Sequence, residues 1–171
     1  RGKGKGWVKE PAITCLAMDE LPKPPAALLL EAQGTLQNPG FNAPDAFGYY
    51  RLSGLEVNGS VSWEQCDAFG VVLSSALWIT RSKSTGSWLV QSEKDRGSNL
   101  LFLRQSDWSC FAPSNSSIPW SFLTDSKIWR DEPALKCTGF TAEEHARRAV
   151  GALGGGGSPA WVLARRPIPE R

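Results

Sequence analysis

The chain has 171 residues, 41 % hydrophobic and 21 % charged, with a formal net charge of +2. That composition excludes a disordered or fibrous polymer and fits one globular domain with appendages. No apolar run reaches the roughly 18 residues of a transmembrane helix, and the charge is too small to expect nucleic acid as a partner.

Residues 1–46 read as an irregular, Pro-rich arm. Pro11, Pro22, Pro24, Pro25, Pro39 and Pro44 punctuate it, and each removes a backbone donor. One short helix is expected from Pro25 to Gln33, with Pro25 in its first turn and Gly34 as its stop. The start at Arg1 rather than Met reads as a processed precursor or an expression boundary. Arg1, Lys3 and Lys5, like Arg165 and Arg166 at the other end, form basic tails that are either solvated or bind an acidic surface.

From Phe47 the texture becomes β-like. Gly48-Tyr49-Tyr50-Arg51-Leu52 is rich in strand formers. Asn58-Gly59 lies between Leu55-Glu56-Val57 and Ser60-Val61-Ser62-Trp63-Glu64. Asn-Gly in that setting predicts a hairpin, because both central residues of a type I′ turn need positive φ. Leu77-Trp78-Ile79 and Ser87-Trp88-Leu89-Val90-Gln91 flank a second hairpin at Thr85-Gly86. Leu100 to Arg104 reads as a central strand, Asp107 to Ser117 as a loop, and Pro119-Trp120-Ser121-Phe122 and Lys127-Ile128-Trp129-Arg130 as short strands. Asp131-Glu132-Pro133 reads as a turn. Residues 47–138 are therefore expected to be a Trp-rich antiparallel β domain. The fold class is mainly β: a small meander, sandwich or barrel with an irregular N-terminal arm and one C-terminal helix.

Thr141-Ala142-Glu143-Glu144 is a capping box, so residues 139–153 are expected to hold a helix running from Ala142 to Leu153. Residues 154–171 form a Gly- and Pro-rich tail in which Trp161 sits in an apolar peg.

Little chemistry stands out. The four cysteines, Cys15, Cys66, Cys110 and Cys137, have long spacings and no C-x-x-C pair, so neither a metal site nor a cofactor is expected. They are either free thiols, which behave as small apolar residues, or disulfide partners, with Cys66, Cys110 and Cys137 as the candidates. The only histidine, His145, is expected on the exposed face of the C-terminal helix without an orienting partner. Phosphate-binding and nucleophile-elbow motifs are absent, so no catalytic residue is assigned.

Tryptophan is the unusual residue, with eight copies. Each buries up to roughly 250 Å² and its N–H calls for an acceptor. Trp63, Trp78 and Trp88 lie in strands and read as core. Trp108 and Trp120 lie beside Ser- and Pro-rich stretches and read equally as core or as binding residues. Candidate partner-binding residues are Trp7, Trp108, Trp120, Trp161, Arg165 and Arg166. Asn58-Gly59-Ser60 and Asn115-Ser116-Ser117 fit the N-glycosylation pattern, which is common by chance.

Gly48-Tyr49-Tyr50, Val57-Asn58-Gly59, Trp63, Leu77-Trp78-Ile79, Gly86-Ser87-Trp88, Pro119-Trp120, Trp129 and Asp131-Glu132-Pro133 follow one another in a suggestive order. The series resembles a Trp-rich β module that recurs in large algal and protist proteins, notably those of dinoflagellates. The resemblance covers about half of the chain; Ser60 stands where that module has Arg, and Glu132 interrupts its Asp-Pro. It implies binding or scaffolding and supplies no catalytic residues.

The expectation is a non-catalytic accessory subunit of a large assembly, holding other protein subunits through the β module and the tails. A peripheral subunit of an algal photosynthetic membrane complex, at a plastid thylakoid, comes first, with membrane-surface contact but no transmembrane segment. The alternatives are a secreted or surface glycan- or protein-binding module, and a subunit of a mitochondrial complex or organellar ribosome.

Overall fold

The structure, a computed structural model, describes residues 22–38, 41, 43–98, 102–124 and 126–154. Nine strands make one antiparallel sheet: β1 (Ala27–Ala32), β2 (Gly48–Val57), β3 (Ser60–Cys66), β4 (Leu77–Arg81), β5 (Trp88–Ser92), β6 (Leu103–Gln105), β7 (Trp120–Leu123), β8 (Trp129–Glu132) and β9 (Leu135–Phe140). Their spatial order is β8-β7-β6-β5-β4-β3-β2-β1-β9. A helix, α1 (Ala142–Gly154), follows β9.

The strand order shows how the sheet curls into a nearly closed barrel. Every neighbouring pair is antiparallel, so β8 and β9 run in the same direction. A two-residue link, Pro133-Ala134, cannot reverse a chain and bring it back parallel. Residues 129–140 are therefore one bent strand that changes partner. Its first half pairs with β7, Trp120 opposite Glu132, and its second half pairs with β1, Leu30 opposite Cys137. Glu132 and Leu135 are both buried although an odd step separates them; the kink absorbs the odd residue as a bulge does.

Glu132 locks this kink. It is fully buried, and its carboxylate accepts the backbone N–H groups of Gln37 (3.0 Å), Asn38 (2.9 Å) and Ala134 (3.3 Å) and the Asn38 side-chain amide (3.1 Å). The Gln33 N–H donates to the Ala134 carbonyl at 2.7 Å. Segment 33–38 is thus laced to the bend. Burial pushes the Glu132 carboxyl up, but the donors from Gln37, Asn38 and Ala134 outweigh it and hold the group below its ordinary range. A buried charge is tolerated here because hydrogen bonds surround it.

Large side chains fill the barrel. Trp63, Trp88, Trp120, Tyr50, Phe122, Leu28, Leu30, Ile79, Leu103 and Leu135 are all under 2 % exposed. Trp63 and Trp88 meet edge to face at 5.6 Å, and the Trp63 indole N–H donates to the Pro25 carbonyl at 2.9 Å. Phe41 stacks on Phe47 and meets Phe122 edge-on. A second cluster of Leu29, Tyr49, Cys66 and Phe140 lies on the outer face. There α1 rests, with His145 5.3 Å from Tyr49 and the Arg148 guanidinium 4.5 Å above Phe140.

Several expectations hold. Asn58 and Gly59 have φ of 55° and 73° and turn the β2–β3 hairpin. The Thr141 hydroxyl accepts the Glu144 N–H, and the Glu144 carboxylate accepts the Thr141 N–H. Others need correction. The expected helix at Pro25–Gln33 is strand β1, because Leu28 and Leu30 enter the barrel while Ala27 and Leu29 are buried on the opposite face. A run buried on both faces loses the alternation that marks a strand. The β domain accordingly starts at Ala27 rather than Phe47 and ends at Phe140. The turn expected at Asp131-Glu132-Pro133 is present at Pro133-Ala134 and takes the form of a kink that leads into Leu135. His145 is half-buried against Tyr49, not on an open face.

Candidate interaction surface

Strict antiparallel alternation sorts the connections between two barrel ends. The β2–β3, β4–β5 and β6–β7 connections share one end, where the chain also enters β1 and leaves β9. The long β6–β7 connection, residues 106–119, dominates this end. Ala112 and Pro113 are buried and anchor it. The Pro113–Asn115 turn lies against β9 so closely that a Cβ on Gly139 would fall 2.7 Å from Ser114 Oγ and 2.9 Å from Pro25 Cγ.

Asp107 organises the exposed part of this loop. One carboxylate oxygen accepts the Ser109 N–H (3.0 Å) and hydroxyl (2.6 Å), the other the Ser116 hydroxyl (2.8 Å). Ser116 Oγ in turn accepts the Ile118 N–H at 3.0 Å. This is an Asx-type local bond set that substitutes side-chain oxygens for missing backbone partners. The Ser109 and Ser116 donors hold the Asp107 carboxyl below its usual range.

Arg81 braces the loop from β4. Its guanidinium lies 5.1 Å from the Trp88 ring, Nε donates to the Gly86 carbonyl at 3.0 Å, and Nη2 donates to the Trp108 carbonyl. Gly86 sits at φ 70°, and a Cβ there would come 3.0 Å from Trp108 Cβ. Glycine is favoured on both counts. The backbone of Trp108 is thus fixed while its ring is 71 % exposed, with Phe111 and Ile118 also open to solvent on the same loop. Beside the loop runs a groove of about 660 Å³, lined on one wall by Ser114 and Asn115 and on the other by Lys23, Pro24 and Thr138 to Thr141.

The sequence candidates divide sharply. Trp108 stands at the surface. Trp120 is 1 % exposed in the core, so it is not available to a partner. Trp7, Trp161, Arg165 and Arg166 lie outside the described residues. Cys66, Cys110 and Cys137 are free thiols in the structure, the first of the two readings that their spacing left open. Burial pushes Cys66 up to about 11 and raises Cys110 and Cys137 as well, so these are packing thiols without thiolate character. Asn58, of the first sequon, donates its amide to the carbonyls of Arg81 (2.8 Å) and Gly97 (3.3 Å). Among the described residues no three His, Cys, Asp or Glu side chains converge as a metal site, and no helix is long and apolar enough to cross a membrane.

Sequence reasoning missed Glu132 and Arg81. Glu132 carries no local signal, since apart from the Ala134 N–H its donors come from Gln37 and Asn38, remote in sequence. Arg81 has none either. The Asp107-x-Ser109 spacing is an Asx signature and could have marked the loop as ordered. No family model, curated protein or solved structure matches the chain.

Proposed function

We propose that this protein is a non-catalytic accessory module that docks onto a larger assembly through the barrel end carrying Trp108. One observation carries the reading: the Trp108 ring is exposed while its backbone is pinned by Arg81 and the Asp107 bond set. Such preorganisation lowers the ordering cost of binding, and exposed, fixed tryptophans are typical interface anchors. The packed interior supports a docking role over a ligand-carrying one, since Trp63, Trp88, Trp120 and Tyr50 occupy the space a barrel ligand would take.

The resemblance to an algal Trp-rich module makes a peripheral subunit of a photosynthetic membrane complex the assembly to test first. The glycan alternative would use the same ring. It is less favoured because the polar groups beside it, Asp107, Ser109 and Ser116, bond to one another and leave fewer donors and acceptors for a sugar. The test is co-fractionation of the endogenous protein with a large complex, compared with a Trp108→Ser variant. Loss of the variant from the complex, with its fold intact, supports the reading; a wild-type chain that migrates alone overturns it.

A further inference from the structure

We infer that the barrel end carrying Trp108 rests on an anionic lipid bilayer, with Trp108, Phe111 and Ile118 entering the interfacial layer. This rests on the reading of that end as the contact face and names what it touches. Trp108, Phe111 and Ile118 are three large apolar side chains left open on one loop. Their loop needs no folding to insert, because Asp107, Ser116 and Arg81 already hold it. An aromatic ring with a polar N–H suits the headgroup boundary.

Two exposed lysines at this end suit such a surface. Lys83 is exposed on the β4–β5 connection, whose Gly86 abuts Trp108, and Lys23 is exposed on the wall of the groove beside the loop. Neither is in an ion pair among the described residues, where Arg51–Glu64 and Glu143–Arg147 are the pairs formed. Three of the acids at this end are engaged, while Glu56, beside the β2–β3 turn, is exposed. Asp107 is turned into its own loop, Glu144 caps α1 through Thr141, and Glu143 faces Arg147. The sequence before Lys23 opens with Arg1, Lys3, Lys5 and Lys9, followed by Glu10, Asp19 and Glu20. Apolar insertion and basic residues near the surface are the two signals whose combination gives stable peripheral attachment. A fluid anionic interface accommodates at once three exposed apolar side chains and two lysines that form no ion pair among the described residues.

Flotation of the full chain with vesicles tests this. The protein should float with vesicles of equal parts phosphatidylcholine and phosphatidylglycerol. It should bind less to pure phosphatidylcholine, and raising salt from about 0.05 M to about 0.5 M should weaken binding by shortening the Debye length. Trp108→Ser with Phe111→Ser should lower partitioning by about tenfold or more, and Lys23→Glu with Lys83→Glu should remove the salt dependence in part, with far-UV circular dichroism unchanged. A wild-type chain that stays unbound to the anionic vesicles overturns the inference, as does binding that all four substitutions leave unchanged. If vesicles fail but the Trp108→Ser variant still drops out of a large complex, the contact face is right and its occupant is a protein. If the variant stays in the complex, the contact-face reading itself fails.

Discussion

Two carboxylates organise connecting segments in this protein, and their surroundings are opposite. Glu132 is fully buried at the barrel kink and gathers the backbone N–H groups of Gln37 and Asn38 from far away in the chain, with that of Ala134 beside it. Asp107 sits in the half-exposed β6–β7 loop and gathers a backbone N–H and hydroxyls from its own neighbourhood. The first closes the fold; the second shapes a surface. The tryptophans beside them divide the same way, since Trp120 lies opposite Glu132 inside the barrel and Trp108 follows Asp107 outside it. The same residue types therefore hold the structure together in one region and present a face to the surroundings in the other.

This comparison can be broken by substitution. The largest effect is expected from Trp120→Ala, about 3–5 kcal/mol of lost stability in urea unfolding, the range for a fully buried aromatic. A loss near zero would remove Trp120 from the core. Glu132→Ala should cost about 3 kcal/mol, because it leaves the N–H groups of Gln37, Asn38 and Ala134 without an acceptor. Gly86→Ala should cost about 1 kcal/mol through its positive φ and its close approach to Trp108, and should disturb the presented ring. Trp108→Ser should change stability by less than about 0.5 kcal/mol while weakening attachment. Equal stability losses for Trp108 and Trp120 would erase the distinction between the two regions.

Acid sharpens the contrast. The Glu132 carboxyl is held below its ordinary range in the folded protein. Its contribution is therefore fully present above the unfolded-state value and is lost as pH falls through the lowered folded value. Unfolding free energy measured against pH should decline on the acid side, and Glu132→Gln should flatten that decline. Asp107 is shifted in the same direction, but its carboxylate is solvated, so Asp107→Asn should alter the acid limb much less.

Features written in neighbouring residues were readable from the sequence. The Asn58-Gly59 turn and the Thr141–Glu144 cap each need only a few adjacent side chains, and both form. β1 was not readable, because an unbroken Ala-Ala-Leu-Leu-Leu run carries no period and length alone favoured a helix. For Trp120 a signal was present: Trp120 and Phe122 alternate with Ser121, which places both on one face of a strand. Trp108 has no such alternation around it. Glu132 and Arg81 act on segments remote in sequence, and no local pattern marks them.

The bent strand also dictates an order of events in synthesis. β1 is made early, yet its second partner, β9, lies more than a hundred residues later, with Leu28 opposite Gly139. Bringing such distant segments together carries a loop-closure cost that local hairpins avoid. Until Phe140 leaves the ribosome the outer edge of β1 has no strand to pair with, and the meander from β2 to β7 can form while the barrel stays open. Truncation anywhere before the Pro133 kink would thus yield a sheet with two raw edges, a species prone to edge-to-edge association, rather than a smaller barrel.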